Sequence, residues 1–216
     1  VRIGRLHLLT DTALQSRFSH AELARLAIRG GADLVQFRQK TGTTREMISA
    51  AAEARAVCRR ARIPFIVNDR VDVAIAVDAD GVHLGWDDFP LEQARRLLGP
   101  HRIIGASAGS IDEAVAGWRQ GADYLGCGPF AATATKPDAG PPAGAGLLRA
   151  VVAAVPIPVV AIGGISVKNI AEALDSGVHG VAVISAVCCD ADPEESARVL
   201  RGVVDSRFAK PIQGKA

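Results

Sequence analysis

Gln36, Arg38 and Lys40 stand at two-residue spacing at the end of the run DLVQFRQK. In an extended strand this spacing puts all three on one face, with Val35 and Phe37 on the other. An amide, a guanidinium and an ammonium on one face suit a phosphate or diphosphate. Asn68, Asp69 and Arg70 end a second apolar run, and Asp87 and Asp88 follow a third. Two carboxylates beside such cations serve best with a metal ion between them and a substrate phosphate. Mg2+ is bound in this way, by one or two carboxylates plus phosphate oxygens. Asp69 and Asp88 are the candidate ligands, with Asp87 the neighbouring choice for the second. Ser107, then Thr133, Thr135 and Lys136, then Gly163-Gly164 and Ser185 continue the series. Glycines and a serine ahead of helices offer N–H groups to an anion. The set reads as a site for two phosphorylated groups, one of them metal-bound.

These residues converge only if the elements before them bring their ends together. Eight β-branched, nearly continuous apolar runs do so: LHLLT (6–10), DLVQFR (33–38), PFIVN (64–68), GVHLG (81–85), RIIGAS (102–107), DYLGCG (123–128), PVVAIGG (158–164) and GVAVIS (180–185). Such runs fit parallel strands covered on both faces. Stretches of helical period lie between them, near 20–30, 43–61, 70–77, 89–98, 110–120, 144–154, 167–176 and 193–206. Alternating strands and helices build either a closed (β/α)8 TIM barrel or a doubly wound open α/β sheet. The count of eight, with no extra segment, favours the barrel. One barrel domain is expected over residues 1–208, followed by a tail over 209–216. In a barrel, function sits at the C-terminal ends of the strands and on the loops that follow them, where the residues named above fall.

GGAD (30–33), DADG (78–81), GAD (121–123) and SGVHG (176–180) sit where helices hand over to strands. Their glycines are expected to supply the left-handed residue that ends each helix. Arg55, Arg59, Arg60 and Arg62 are expected to be solvated and to favour a helix C-terminus. Asp88 has an alternative use, as a cap for the helix beginning near Pro90. His7, His83 and His179 lie in or beside strand runs and are expected to pack rather than bind metal. Cys127 is expected to face the core.

The composition is 49% hydrophobic and 22% charged with a net charge of +2, ordinary for a soluble protein. No Lys/Arg tract with interleaved aromatics suggests nucleic acid. VVAAVPIPVVAI is too short to span a membrane and holds two prolines. The four cysteines form no CxxC pair, which fits reduced thiols. A cytoplasmic location is expected, with small-molecule partners, neither nucleic acid nor membrane, and a homo-oligomer compatible with everything above.

One segment stands apart. GPFAATATKPDAGPPAG (128–144) is almost all Gly, Pro, Ala and Thr around a single lysine, Lys136. Together with QFRQK (36–40), NDRVDVAIAVDADGVHLG (68–85), Asp88, Ser107, AIGGI (161–165) and GVAVISA (180–186), it resembles the thiamine phosphate synthases. The likeness runs across nearly the whole chain, and the Q-x-R-x-K, N-D-R and T-x-T-K elements are specific in combination. It implies a (β/α)8 barrel that joins a hydroxymethylpyrimidine diphosphate to a thiazole phosphate and releases pyrophosphate. It also implies roles. Gln36, Arg38, Lys40, Asn68, Ser107 and Lys136 would hold the pyrimidine diphosphate, and Arg38, Ser107 and Lys136 would act in catalysis. Asp69 and Asp88 would bind Mg2+. Thr133, Thr135, Gly164, Ile184 and Ser185 would hold the thiazole phosphate. The implied reaction is dissociative, through a pyrimidine carbocation, and the loop carrying Lys136 would close over it.

The sequence departs from that family at three places. Trp86 stands where Gln is usual, Ala131 where an aromatic is usual, and Gly109 follows the fifth-strand serine by two residues. The related thiazole tautomerases usually carry histidine at the last of these and lose the T-x-T-K element, so both features favour the synthase. Three other readings are a tautomerase, a Schiff-base aldolase using Lys136, and a non-catalytic barrel that binds thiazole phosphate. A Schiff-base lysine needs a desolvated site, and Lys136 lies in a polar loop.

Overall fold

The computed structural model describes residues 3–135 and 140–209. Lys136 and the tail beyond Ala209 therefore lie outside the described residues. The eight strands are β1 (Leu6–Thr10), β2 (Leu34–Phe37), β3 (Phe65–Asn68), β4 (Gly81–Leu84), β5 (Ile103–Ala108), β6 (Tyr124–Cys127), β7 (Val159–Ile162) and β8 (Gly180–Val183). Each pairs in parallel with the next, and β8 returns to β1, closing a barrel. The helices are α1 (His20–Arg29), α2 (Thr44–Ala61), α3 (Val71–Ala76), α4 (Leu91–Leu98), α5 (Ile111–Arg119), α6 (Gly144–Ala154), α7 (Ile170–Asp175), α8 (Ser185–Cys188) and α9 (Pro193–Phe208). The molecule is the expected (β/α)8 barrel. The expectation of no extra segment is corrected by α8, a single turn placed directly after β8.

Strand alternation divides the apolar residues between two cores. Leu34, Ile66, Ile103, Tyr124, Val160 and Ala182 fill the barrel interior. Val35, Phe37, Phe65, Val67 and Ile104 face outward against the helices, as does Cys127. This interior packing lies toward the N-terminal ends of the strands.

That end is built by a repeated device that the handover motifs encode. Asp33 Oδ1 accepts from the Arg5 and Leu6 N–H groups, each at 2.8 Å. Asp80 accepts from Phe65 N–H at 2.8 Å and Asp123 from Ile104 N–H at 2.7 Å. Each carboxylate so ties its own strand's entry to that of the preceding strand. Each also pairs with a helix arginine: Arg201 at 2.9 Å, Arg55 at 3.3 Å and Arg95 at 2.7 Å respectively. Arg55 is thus a structural tie, not the solvated cation expected. The glycine expectation holds at Gly31, Gly121 and Gly177, which have positive φ. In DADG the left-handed residue is Asp78 instead, with φ 54°. Aspartate adopts this conformation more readily than most residues, and Gly81 is left free to enter β4.

Two histidines are buried neutral. Burial lowers His7 and His20 from 6.5 to about 4. His7 bonds the Gly4 carbonyl at 2.9 Å, and His20 bonds the Thr10 hydroxyl at 2.7 Å. A depressed folded-state pKa contributes stability that is complete above 6.5 and lost as pH falls toward 4. We expect unfolding free energy to drop by roughly 3 kcal/mol per histidine across that window. Chemical denaturation at pH 7.5 and 4.5 measures it, and His20→Gln should flatten its share of the slope.

Candidate active site

At the open end of the barrel lies one cavity of about 470 Å³, within the range of small-molecule sites. Gln36 enters it from β2, and Arg38 and Lys40 from the residues directly after that strand. Asn68 and Asp69 enter from β3, and Asp88 from the loop after β4. Ser107 lies inside β5 rather than after it. Thr133, Thr135, Gly164, Ile184 and Ser185 close the opposite side. The structure therefore brings together every predicted site residue among those described.

The charges at the β2–β4 edge are interlocked. Arg38 pairs with Asp11, whose side chain is only 3% exposed. Lys40 pairs with Asp69. An arginine has five N–H donors in a planar fork, so Asp11 fixes the guanidinium while leaving donors for an anion. Asp69 sits at a positive φ of 64°, in a three-residue turn closed by Arg70 N–H donating to the Asn68 carbonyl at 2.8 Å. Such turns are strained; this one turns the carboxylate toward Lys40 and Asp88. Burial first, and then the Asp88 carboxylate, raise the Asp69 carboxyl above its usual range against the opposing pull of Lys40. Two crowded carboxylates with hard oxygen donors fit a divalent cation, which would relieve their repulsion.

Asp88 is the partner of Asp69, while Asp87 is exposed on the rim. The Asp88 Oδ2 accepts from Gly85 N–H at 2.7 Å. It does not cap α4, whose cap position is Pro90 without a side-chain bond. Trp86 stands half-exposed at the mouth of the cavity.

The cavity floor holds a network absent from the sequence reading. His83 Nδ1 meets the Tyr124 hydroxyl at 2.9 Å, and His83 Nε2 meets Ser107 Oγ at 3.1 Å. The Gln36 amide also reaches the Tyr124 hydroxyl. His83 was expected to pack only; it also fixes Ser107. Register explains the contact. His83, Gly105 and Tyr124 lie on one rung of three adjacent strands, and the missing side chain at Gly105 opens the space between them. A Cβ there would stand 2.3 Å from Tyr124 Cζ and 2.4 Å from His83 Nδ1. Gly105→Ala is expected to cost about 2–3 kcal/mol and most of the activity, measured by denaturation and turnover on the same preparation. The signal was legible as an interior strand glycine. Among the described residues Gln36 Oε1 is buried without a partner, an acceptor that a ligand N–H would satisfy.

The opposite side is shaped by backbone. Gly163 and Gly164 have φ of 90° and 68°. A Cβ on Gly164 would meet the Ala132 and Ala131 carbonyl oxygens at 2.6 and 2.7 Å. The long Gly/Pro/Ala segment is pinned at both ends. Phe130 N–H donates to Ile162 at 2.8 Å, and Ala143 N–H donates to the Pro129 carbonyl at 2.9 Å. Its two ends are thus held side by side, with Thr133 and Thr135 at the cavity and Lys136 beyond the described residues.

A cation-and-carboxylate edge facing a glycine-and-hydroxyl edge, across one cavity at the strand ends, defines a (β/α)8 barrel enzyme for anionic small molecules. The family described as thiamine monophosphate synthase matches residues 6–187. A thiamine-phosphate synthase of Chloroflexus aurantiacus is 52% identical over 96% of both chains. One from Salinibacter ruber is 49% identical over 94% of this chain and 89% of its own. Among solved structures, a thiamine phosphate pyrophosphorylase from Pyrococcus furiosus superposes with a TM-score of 0.88 at 43% identity, covering 95% of this chain and 97% of its own. The chain belongs to the thiamine monophosphate synthase family.

Proposed function

We propose that this protein is a transferase that joins hydroxymethylpyrimidine diphosphate to thiazole phosphate, giving thiamine phosphate and pyrophosphate. The observation that carries the reading is the two-sided cavity, with charged groups on one edge and a backbone cradle on the other. Arg38 and Lys40 face the diphosphate and Asn68 supports it, while Lys136 is assigned to it by the family's T-x-T-K element alone. The orphaned Gln36 oxygen suits an amino group on the pyrimidine ring. Thr133, Thr135, Gly164, Ile184 and Ser185 hold the thiazole phosphate.

The bond between the pyrimidine methylene carbon and the diphosphate oxygen breaks, and its electron pair leaves with the oxygen. The lone pair of the thiazole nitrogen then forms the new C–N bond to the methylene cation. No proton moves and no protein nucleophile is needed. The side chains stabilise charge on the departing diphosphate and align the two partners. Ser107, fixed by His83, positions the pyrimidine end. Asp69 and Asp88 would hold Mg2+, which would supply positive charge against the diphosphate oxygens. The described ends of the Gly/Pro/Ala segment, held at Ile162 and Pro129, would help exclude water from the cation. The free thiols, three of them buried, support a cytoplasmic setting.

Incubation with both substrates and Mg2+, followed by detection of thiamine phosphate, tests the assignment. Absence of product from folded protein contradicts it. Lys136→Ala is expected to lower turnover by roughly 10²–10³-fold with an unchanged melting temperature. Unchanged turnover removes Lys136 from the mechanism.

A further inference from the structure

The reaction proposed above turns a neutral thiazole nitrogen into a quaternary cation, yet most charges described around it are already committed. Asp11 pairs with Arg38, Asp69 pairs with Lys40, and Asp88 lies against Asp69. Glu113 also lines the cavity, from the first turn of α5. Among the described residues its carboxylate makes no ion pair.

Its side chain also departs from a pattern used twice elsewhere in the chain. Glu22 in α1 and Glu46 in α2 occupy the same third helical position and bond back to the N–H of their own caps, Ser19 at 2.8 Å and Thr43 at 2.7 Å. In α5 the cap hydroxyl of Ser110 accepts from Glu113 N–H at 3.2 Å as usual. The Glu113 carboxylate, however, passes Ser110 and accepts from Gly109 N–H at 2.6 Å. That is one residue nearer the cavity, at the end of β5. Gly109 itself lines the cavity and has no side chain to screen the carboxylate. A Cβ at Gly109 would stand 3.5 Å from Glu113 Oε2 and 3.8 Å from the Gly128 oxygen, which places this carboxylate beside the end of β6. The Thr133–Thr135 edge assigned to the thiazole begins just beyond that point.

We propose that Glu113 is the electrostatic partner of the ring cation, selecting the charged thiazolium over the neutral thiazole. The inference rests on the synthase reading. A carboxylate on this wall favours the bond-forming step as positive charge settles on the ring nitrogen. It also offsets the cations of the diphosphate edge, which oppose that charge.

Binding separates this role from simple capping. Thiamine phosphate carries the fixed ring cation; thiazole phosphate does not. Glu113→Gln keeps an oxygen for Gly109 N–H and removes only the charge. Calorimetric titration of wild type and Glu113→Gln with each ligand is the experiment. The variant is expected to bind thiamine phosphate about tenfold more weakly and thiazole phosphate within about twofold of wild type. Equal weakening of both ligands, or no change in either, overturns the proposal. If Glu113→Gln does not fold, wild type titrated with thiamine phosphate and its neutral thiophene analogue decides. Preference for the cation supports the proposal and equal affinity overturns it. Wild-type protein that binds neither phosphate fails the synthase reading itself, an outcome distinct from loss of discrimination between them.

Discussion

Arg38→Ala is expected to lower kcat/KM for the pyrimidine diphosphate by roughly 10³-fold, about 4 kcal/mol of transition-state stabilisation. The guanidinium lies inside the cavity mouth, 13% exposed, where charge-assisted bonds to a departing diphosphate are strong. The same change should destabilise the fold, because Asp11 is left buried without its counter-charge. Removing one partner of a buried pair typically costs about 3–5 kcal/mol. The two effects can be separated. In the double variant Asp11→Asn with Arg38→Ala, stability should return and activity should not. Denaturant midpoints and steady-state rates on the three proteins check this. Recovery of activity in the double variant would mean that Arg38 acts only by neutralising Asp11.

Asp69→Ala and Asp88→Ala are each expected to reduce turnover by about 10²–10³-fold and to abolish its dependence on Mg2+ concentration. Asp87→Ala should stay within about threefold of wild type, as exposed substitutions usually do. The contrast follows from geometry, since Asp88 lies against Asp69 and is anchored by Gly85 N–H at 2.7 Å. Asp87 is exposed on the rim. Mg2+ titrations of the rate in each variant decide between the two neighbours. A large loss in Asp87→Ala with none in Asp88→Ala would reverse the assignment. Asp69→Asn is a useful companion, because asparagine also tolerates the positive φ found there.

The barrel was legible because parallel strands covered on both faces are written as continuous apolar runs. All eight runs became strands, and their polar ends converged as a barrel requires. The short α8 escaped notice because a single turn has no periodicity to detect. The floor network escaped for a different reason. His83 and Tyr124 sit 41 residues apart, and their contact depends on register across β4, β5 and β6. Only the interior glycine, Gly105, pointed to a crowded rung. The handover glycines were read for their backbone, while the neighbouring aspartates Asp33, Asp80 and Asp123 carry the barrel's N-terminal end. A carboxylate that bonds another strand's N–H leaves no local trace in sequence. Asp11 follows β1 in the chain, but its pairing with Arg38 needs β1 and β2 side by side, with Leu9 opposite Gln36.

In the proposed reaction one cavity holds a diphosphate and a second phosphorylated substrate and couples loss of the first group to C–N bond formation. The most direct measurement is pyrophosphate release with both substrates and Mg2+, run beside reactions lacking thiazole phosphate or containing EDTA. Pyrophosphate and thiamine phosphate are expected in equal amounts, with release abolished by EDTA. Folded protein that binds both substrates yet releases no pyrophosphate, or releases it with no thiamine phosphate formed, would contradict that reaction.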